Sequence, residues 1–234
     1  MTAVLELDGL SAGYGQVPVV RNLDLTVSAG EVVALLGPNG AGKTTTLLSV
    51  SGLLKPMGGD IRFLGASVVG RAPQRLAREG MAHVPDDRGL FPGLTVSDHL
   101  DLGAGRRRRS GTRSQVLGWF PLLEPLLDRR SGLLSGGEQQ MLALAQALLR
   151  EPRLLMVDEM SLGLAPIVVE SLLPIVRTIA EESGCGVLLV EQHAPMALQV
   201  ADRAVVLNHG DVVVEGSADD LRRDWDTLLA SYLG

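Results

Sequence analysis

The sequence is poor in cysteine, in net positive charge and in long apolar runs, and each shortage closes off a class of protein. One cysteine in 234 residues, Cys185, excludes an internal disulfide framework. Its apolar, strand-like surroundings mark a buried small hydrophobe rather than a reactive thiol. With 21 Lys and Arg against 27 Asp and Glu the formal charge is −6, so no global basic field draws nucleic acid or an anionic membrane. No nucleic-acid partner is expected. The one basic run, Arg106 to Arg109 in "GAGRRRRSGTRS", reads as a solvated loop. No apolar run reaches the roughly 20 residues that cross a bilayer, and "MTAVLELDGLSAGYG" lacks a basic segment followed by an apolar one. The sequence therefore predicts neither a membrane span nor a signal peptide, and a cytoplasmic location.

What is present is an ordinary folded composition, 46% hydrophobic and 21% charged, long enough to bury a sizeable core. The first 37 residues alternate as an antiparallel β piece that feeds a buried strand, "EVVALL". "AGKTTTLLSVSGLL" follows at helical spacing. "GGDIRFLG" reads as a strand, "RAPQRLAREG" as a helix and "MAHV" as a short buried strand. Residues 95 to 150 are mainly helical and form an insert. Beyond them come the strand "RLLMVDE", the helix "PIVVESLLPIVRTIAEES", the strand "CGVLLVEQH" and a hairpin turning at "NHGD". Near-continuous apolar strands alternating with helices indicate an α/β fold whose parallel sheet is covered on both faces. One domain spanning residues 1 to 234 is expected.

"GPNGAGKT" matches the phosphate loop G-x-x-x-x-G-K-[ST], with the required strand before it and helix after it. Gly37, Pro38, Asn39, Gly40, Ala41, Gly42, Lys43, Thr44 and Thr45 are thus the candidate ATP-binding residues. The glycines let backbone N–H groups turn around phosphate oxygens, and the helix N-terminus adds a favourable dipole. Lys43 reaches the β and γ phosphates and the Thr44 hydroxyl is a ligand for Mg²⁺. "LLMVDE" supplies Asp158 to the metal, and Glu159 to polarise an attacking water.

"LLSGGEQQ" narrows the family, because between a phosphate loop and "VDE" it resembles the signature of ATP-binding cassette (ABC) proteins. Leu134, Ser135, Gly136, Gly137 and Glu138 open a helix whose amides and serine hydroxyl can hold a γ-phosphate. The resemblance implies a P-loop, RecA-like nucleotide-binding domain with an N-terminal antiparallel β subdomain and the helical insert. It also implies that the signature serves ATP on a second cassette, that Tyr14 in "AGYG" stacks on adenine, and that His193 in "LVEQH" contacts the γ-phosphate. "FPGLTVSDHL", "SLGLAPIVVE" and "LVEQHAPMAL" look like the shorter of the two ATPases of branched-chain amino acid importers, and are close also to the urea-importer ATPase.

Several positions depart from that pattern. Asp86 in "VPDDRG" stands where such cassettes carry a glutamine or glutamate that senses Mg²⁺ and water. It either keeps this role, with Asp87 as a turn residue, or both acids are turn residues without metal contact. Met160 replaces a proline, Ala165 an aspartate and Gln146 an arginine. The resemblance further implies permease subunits on the inner face of the membrane and, indirectly, a solute-binding protein; the apolar loop Leu90 to Val96 either docks the permeases through Phe91, Pro92 and Leu94 or is a buried core loop. The competing readings are an importer for another solute, a non-transport cassette, and a scaffold without hydrolysis.

Overall fold

The computed structural model describes residues 2–104 and 110–224. The arginine run Arg106–Arg109 lies outside them.

Two long strands, β1 (Ala3–Tyr14) and β2 (Val17–Ser28), pair antiparallel and lead into the short buried β3 (Val32–Leu36). Helix α1 (Lys43–Val50) follows, then β4 (Gly58–Phe63), β5 (Ala66–Ser67), α2 (Pro73–Arg78) and β6 (Met81–Val84). The helical segment contains α3 (Val96–Ala104), α4 (Ser110–Trp119) and α5 (Gly136–Leu148). The chain then alternates through β7 (Leu154–Asp158), α6 (Pro166–Ser183), β8 (Gly186–Glu191), α7 (Ala194–Ala197), β9 (Arg203–Asn208), β10 (Asp211–Ser217) and α8 (Ala218–Arg223).

The strands form two sheets. One is antiparallel, ordered β2-β1-β4-β5; the other has six strands, ordered β10-β9-β3-β8-β7-β6. In the second sheet β6, β7, β8, β3 and β9 run parallel, and β10 closes the edge antiparallel to β9. Side-chain alternation divides the core. Val32, Ala34 and Leu36 of β3 pack with α3, α5 and α6, while Val33 and Leu35 pack with α1 and the antiparallel sheet. A strand buried on both faces in this way must be apolar throughout, which is why "VVALL" carries no polar residue.

Two details differ from the pattern read in the sequence. α1 stops at Val50, short of the apolar "SGLL", because Gly52 enters the left-handed region (φ 73) and the N–H groups of Leu53 and Leu54 fold back onto Leu48 O. A two-residue strand, β5, pairs with β4, too short to leave a periodic signal. The hairpin at "NHGD" forms as expected. His209 (φ 49) and Gly210 (φ 88) are both left-handed, the conformation of a two-residue turn between right-twisted strands. Cys185 is buried just before β8, and burial pushes its thiol up to about 12.

Candidate active site

The phosphate loop connects β3 to α1 at the carboxyl end of the parallel strands, where α/β sheets place ligands. Close packing dictates two of its glycines. Gly37 (φ 153) lies so near β9 that a Cβ would stand 2.2 Å from Leu207 O; at Gly42 (φ 107) a Cβ would stand 2.6 Å from Val20 Cγ2. Its conformation is further tied by Gly210 N–H, which donates to Ala41 O at 3.1 Å. The loop borders a cavity of about 170 Å³ lined by Val19, Asn39, Gly40, Gly42, Lys43, Thr44, Thr45 and Glu159. The first amides of α1 open toward it without intrahelical partners.

Lys43 is 4% exposed, and its ammonium group donates to Gly37 O (2.9 Å) and Pro38 O (3.2 Å). It lies 3.3 Å from Glu159 Oε1. This buried ammonium at the cavity wall is thus compensated by two carbonyls and one carboxylate.

Asp158, the last residue of β7, is 2% exposed. Burial pushes its carboxyl up to about 6, opposed by a hydrogen bond from the Thr44 side chain and reinforced by the charges of Glu159 and Asp86. Its Oδ1 is buried without a hydrogen-bond partner. An orphaned carboxylate oxygen beside a hydroxyl fits a hard divalent cation completed by phosphate and water oxygens, as magnesium prefers.

Glu159 adopts φ 44, a left-handed conformation that costs a non-glycine residue roughly 1–2 kcal/mol. Its N–H donates to Val190 O (2.9 Å) and its carbonyl accepts from Leu162 N–H (3.0 Å). Met160, fully buried, anchors the next position in the helix-side core. Ser161 then donates twice to Glu191: N–H to Oε1 at 3.0 Å and Oγ–H to Oε2 at 2.6 Å. Glu191, at the end of β8, is 1% exposed, and burial raises its pKa above the usual carboxylate value.

Asp86 follows β6, the strand paired with β7. It is exposed and accepts the Asp87 N–H (2.9 Å), while Asp87 accepts the Gly89 N–H (3.0 Å). Its charge reaches both Asp158 and His83, whose imidazole is held below its usual pKa by burial. Arg88, next in the chain, donates to Gln139 (2.8 Å) and Gln140 (3.2 Å) of α5, tying this turn to the helix behind the signature.

Ser135 caps α5 in a reciprocal box. Its hydroxyl accepts Glu138 N–H (3.3 Å) and its own N–H donates to Glu138 Oε2 (2.7 Å). The glycines after it also have a reason within the chain. A Cβ at Gly137 would stand 2.6 Å from Val168 of α6, and one at Gly136 3.0 Å from Leu164.

The segment after Arg88 presents Phe91, 59% exposed, and Pro92, with Leu94 half-buried behind them. His99, wholly buried, fixes it: Nε2 accepts Phe91 N–H (3.0 Å), so Nδ1 carries the proton donated to Thr95 O (2.8 Å). Phe91 is therefore not part of a buried core loop, although Leu90 and Leu94 partly are.

The structure brings Asn39, Gly40, Gly42, Lys43, Thr44, Thr45 and Glu159 to one cavity, with the Asp158 carboxyl beside the Thr44 side chain. Tyr14, 55% exposed, pairs with Val17 and does not line the cavity. His193 is exposed at the start of α7, outside the cavity lining, and its charge bears on Glu191. Leu134 to Glu138 do not line the cavity. Sequence reasoning missed Glu191, Arg88 and His99. Glu191 alone left a signal, an acid at the end of an otherwise apolar strand.

The ABC transporter family matches this chain over residues 20 to 161, more than half of its length. The high-affinity branched-chain amino acid transport ATP-binding protein BraG of Pseudomonas aeruginosa is 40% identical to it, over 99% of this chain and 100% of its own. An Fe(3+) ions import ATP-binding protein of Rhodococcus jostii, FbpC 2, is 35% identical over 100% of this chain and 68% of its own. Among solved structures, an ATP-binding subunit of an ABC transporter superposes with a TM-score of 0.84 at 32% identity, covering 98% of each chain. Matched by the family over more than half of its length and 40% identical to BraG across nearly all of it, this chain belongs to the ABC transporter family and is an ATPase.

Proposed function

We propose that this chain is the ATP-hydrolysing subunit of an importer for branched-chain amino acids. It would work on the cytoplasmic face of the membrane with permease subunits, a second cassette and, indirectly, a solute-binding protein. The contact between Lys43 and Glu159 across the phosphate-loop cavity carries the catalytic half of the reading. Similarity to the Pseudomonas protein supports the cargo. The Rhodococcus match favours a second reading, a metal-ion importer, since the cassette itself need not touch the solute.

In this mechanism Gly37 to Thr45 cradle the phosphates and Lys43 offsets charge developing on the γ-phosphoryl group. Tyr14 stacks on the adenine. Thr44 and Asp158 would hold Mg²⁺, with Asp86 acting on it directly or through water, and the ion would neutralise phosphate charge. Glu159 orients or deprotonates the attacking water, and His193 steadies the γ-phosphate. Leu134 to Glu138 complete the site on the second cassette, so closure of the pair moves the permeases through Phe91, Pro92 and Leu94.

Glu159→Gln should retain ATP binding, accumulate a closed dimer and lose about 10²- to 10⁴-fold in turnover. Hydrolysis near the native rate would move the catalytic role elsewhere. Copurification of the chain from its native membrane, with the partner chains identified, tests the assembly and its cargo class.

A further inference from the structure

Glu191 is the one wholly buried acid in this region to which the mechanism gives no task. Both of its oxygens are used, and both by the same residue: Ser161 donates its N–H to one and its hydroxyl to the other. Ser161 lies two positions beyond Glu159, whose backbone is left-handed although it is not glycine. Such a conformation persists only where its surroundings over-determine it.

The surroundings here come from one strand. Val190 O of β8 accepts the Glu159 N–H, and the next residue of β8, Glu191, takes both donors of Ser161. β8 is itself in register with β3, Glu191 opposite Leu36, the residue before the phosphate loop. The same strand end thus sets the spacing between the base of the phosphate loop and the turn that carries Glu159.

We infer that Glu191 is a positioning residue for hydrolysis: its two hydrogen bonds to Ser161 hold the turn that keeps the Glu159 carboxylate beside Lys43. The inference rests on the catalytic role proposed for Glu159. It makes no contact with nucleotide necessary, so the loss it predicts falls on the chemical step and not on binding.

Single-turnover ATP hydrolysis and equilibrium ATP binding of the full chain test it. Glu191→Leu removes both acceptors and should slow hydrolysis by about tenfold to a hundredfold, as loss of an orienting partner does, with ATP affinity changed less than about threefold. Glu191→Gln should restore most of the rate. Its amide oxygen can take the Ser161 N–H, and its NH₂ can donate to a reoriented Ser161 hydroxyl. Ser161→Ala keeps one of the two bonds and should fall between them; it also serves should the leucine variant fail to fold.

A native rate in the leucine variant overturns the inference. So does a glutamine variant as slow as the leucine one, or an ATP affinity that falls in step with the rate. Measured alongside, Glu159→Gln separates the two claims. If it is inactive while Glu191→Leu is fully active, only the positioning role fails. If it is fully active, the role of Glu159 fails and the positioning role with it.

Discussion

β6 and β7 are paired parallel strands, each with two adjacent acids at its carboxyl end: Asp86 and Asp87 beyond Val84 and Pro85 in one, Asp158 as the last strand residue with Glu159 next to it in the other. Their environments are opposite. Asp158 is shut away from solvent with an unpartnered oxygen and a carboxyl pushed up to about 6, and Glu159 is strained against a buried lysine. Asp86 and Asp87 are exposed and accept backbone N–H groups of their own turn. The same carboxylate chemistry is enclosed beside the phosphate-loop cavity in one place and lies in an exposed turn in the other. Position in the sheet makes the difference, because β7 is flanked by β8 beside the phosphate loop, whereas β6 is the outermost strand.

Asp158 offers the largest effect by which to break this contrast. Asp158→Asn should weaken magnesium-dependent ATP binding by about tenfold or more, since one ionised hard donor is lost. The ligand-free protein should show the converse in its stability. Burial pushes the Asp158 carboxyl up to about 6 in the folded chain, above the usual 3.8 of an aspartate, so the native state binds the proton more tightly than the unfolded state does. Stability from this group therefore rises as pH falls through about 6 toward 4, and is lost as pH rises through 6. Between pH 7 and pH 5 the melting temperature of the native chain should gain on that of Asp158→Asn. Parallel profiles would mean that Asp158 is not strained by burial.

This contrast explains what the sequence makes legible. The phosphate loop, the "VDE" strand and the signature are read from local order, because each is fixed by a backbone need: glycine where a Cβ would strike Leu207 or Val20, a cap where α5 begins. The parallel strands are legible from their unbroken apolar runs. The roles of Glu191 and Arg88 are not, because they exist only across the sheet and between the turn after β6 and α5; their partners lie 30 and about 50 positions away. Local order marks Gly136 and Gly137 as phosphate-binding residues, and the packing against Leu164 and Val168 that also demands them is a tertiary fact. In the sequence Phe91 suits core or surface equally; in the fold His99 holds its backbone while its ring stays outside.

Asp86 and Asp87 sharpen the comparison through smaller effects. The charge of Asp86 reaches Asp158, whereas Asp87 accepts only the Gly89 N–H of its own turn. Asp86→Ala should therefore reduce permease-stimulated hydrolysis several-fold, up to about tenfold, with little change in ATP affinity. Asp87→Ala should stay within about 1 kcal/mol of native stability and leave hydrolysis near its native rate, as expected for one exposed turn hydrogen bond. Measured in the assembled transporter, the pair isolates position from chemistry, because the two residues are identical, adjacent and exposed. Equal and small losses would make both acids turn residues, and the electrostatic reach of Asp86 toward Asp158 would then carry no signal.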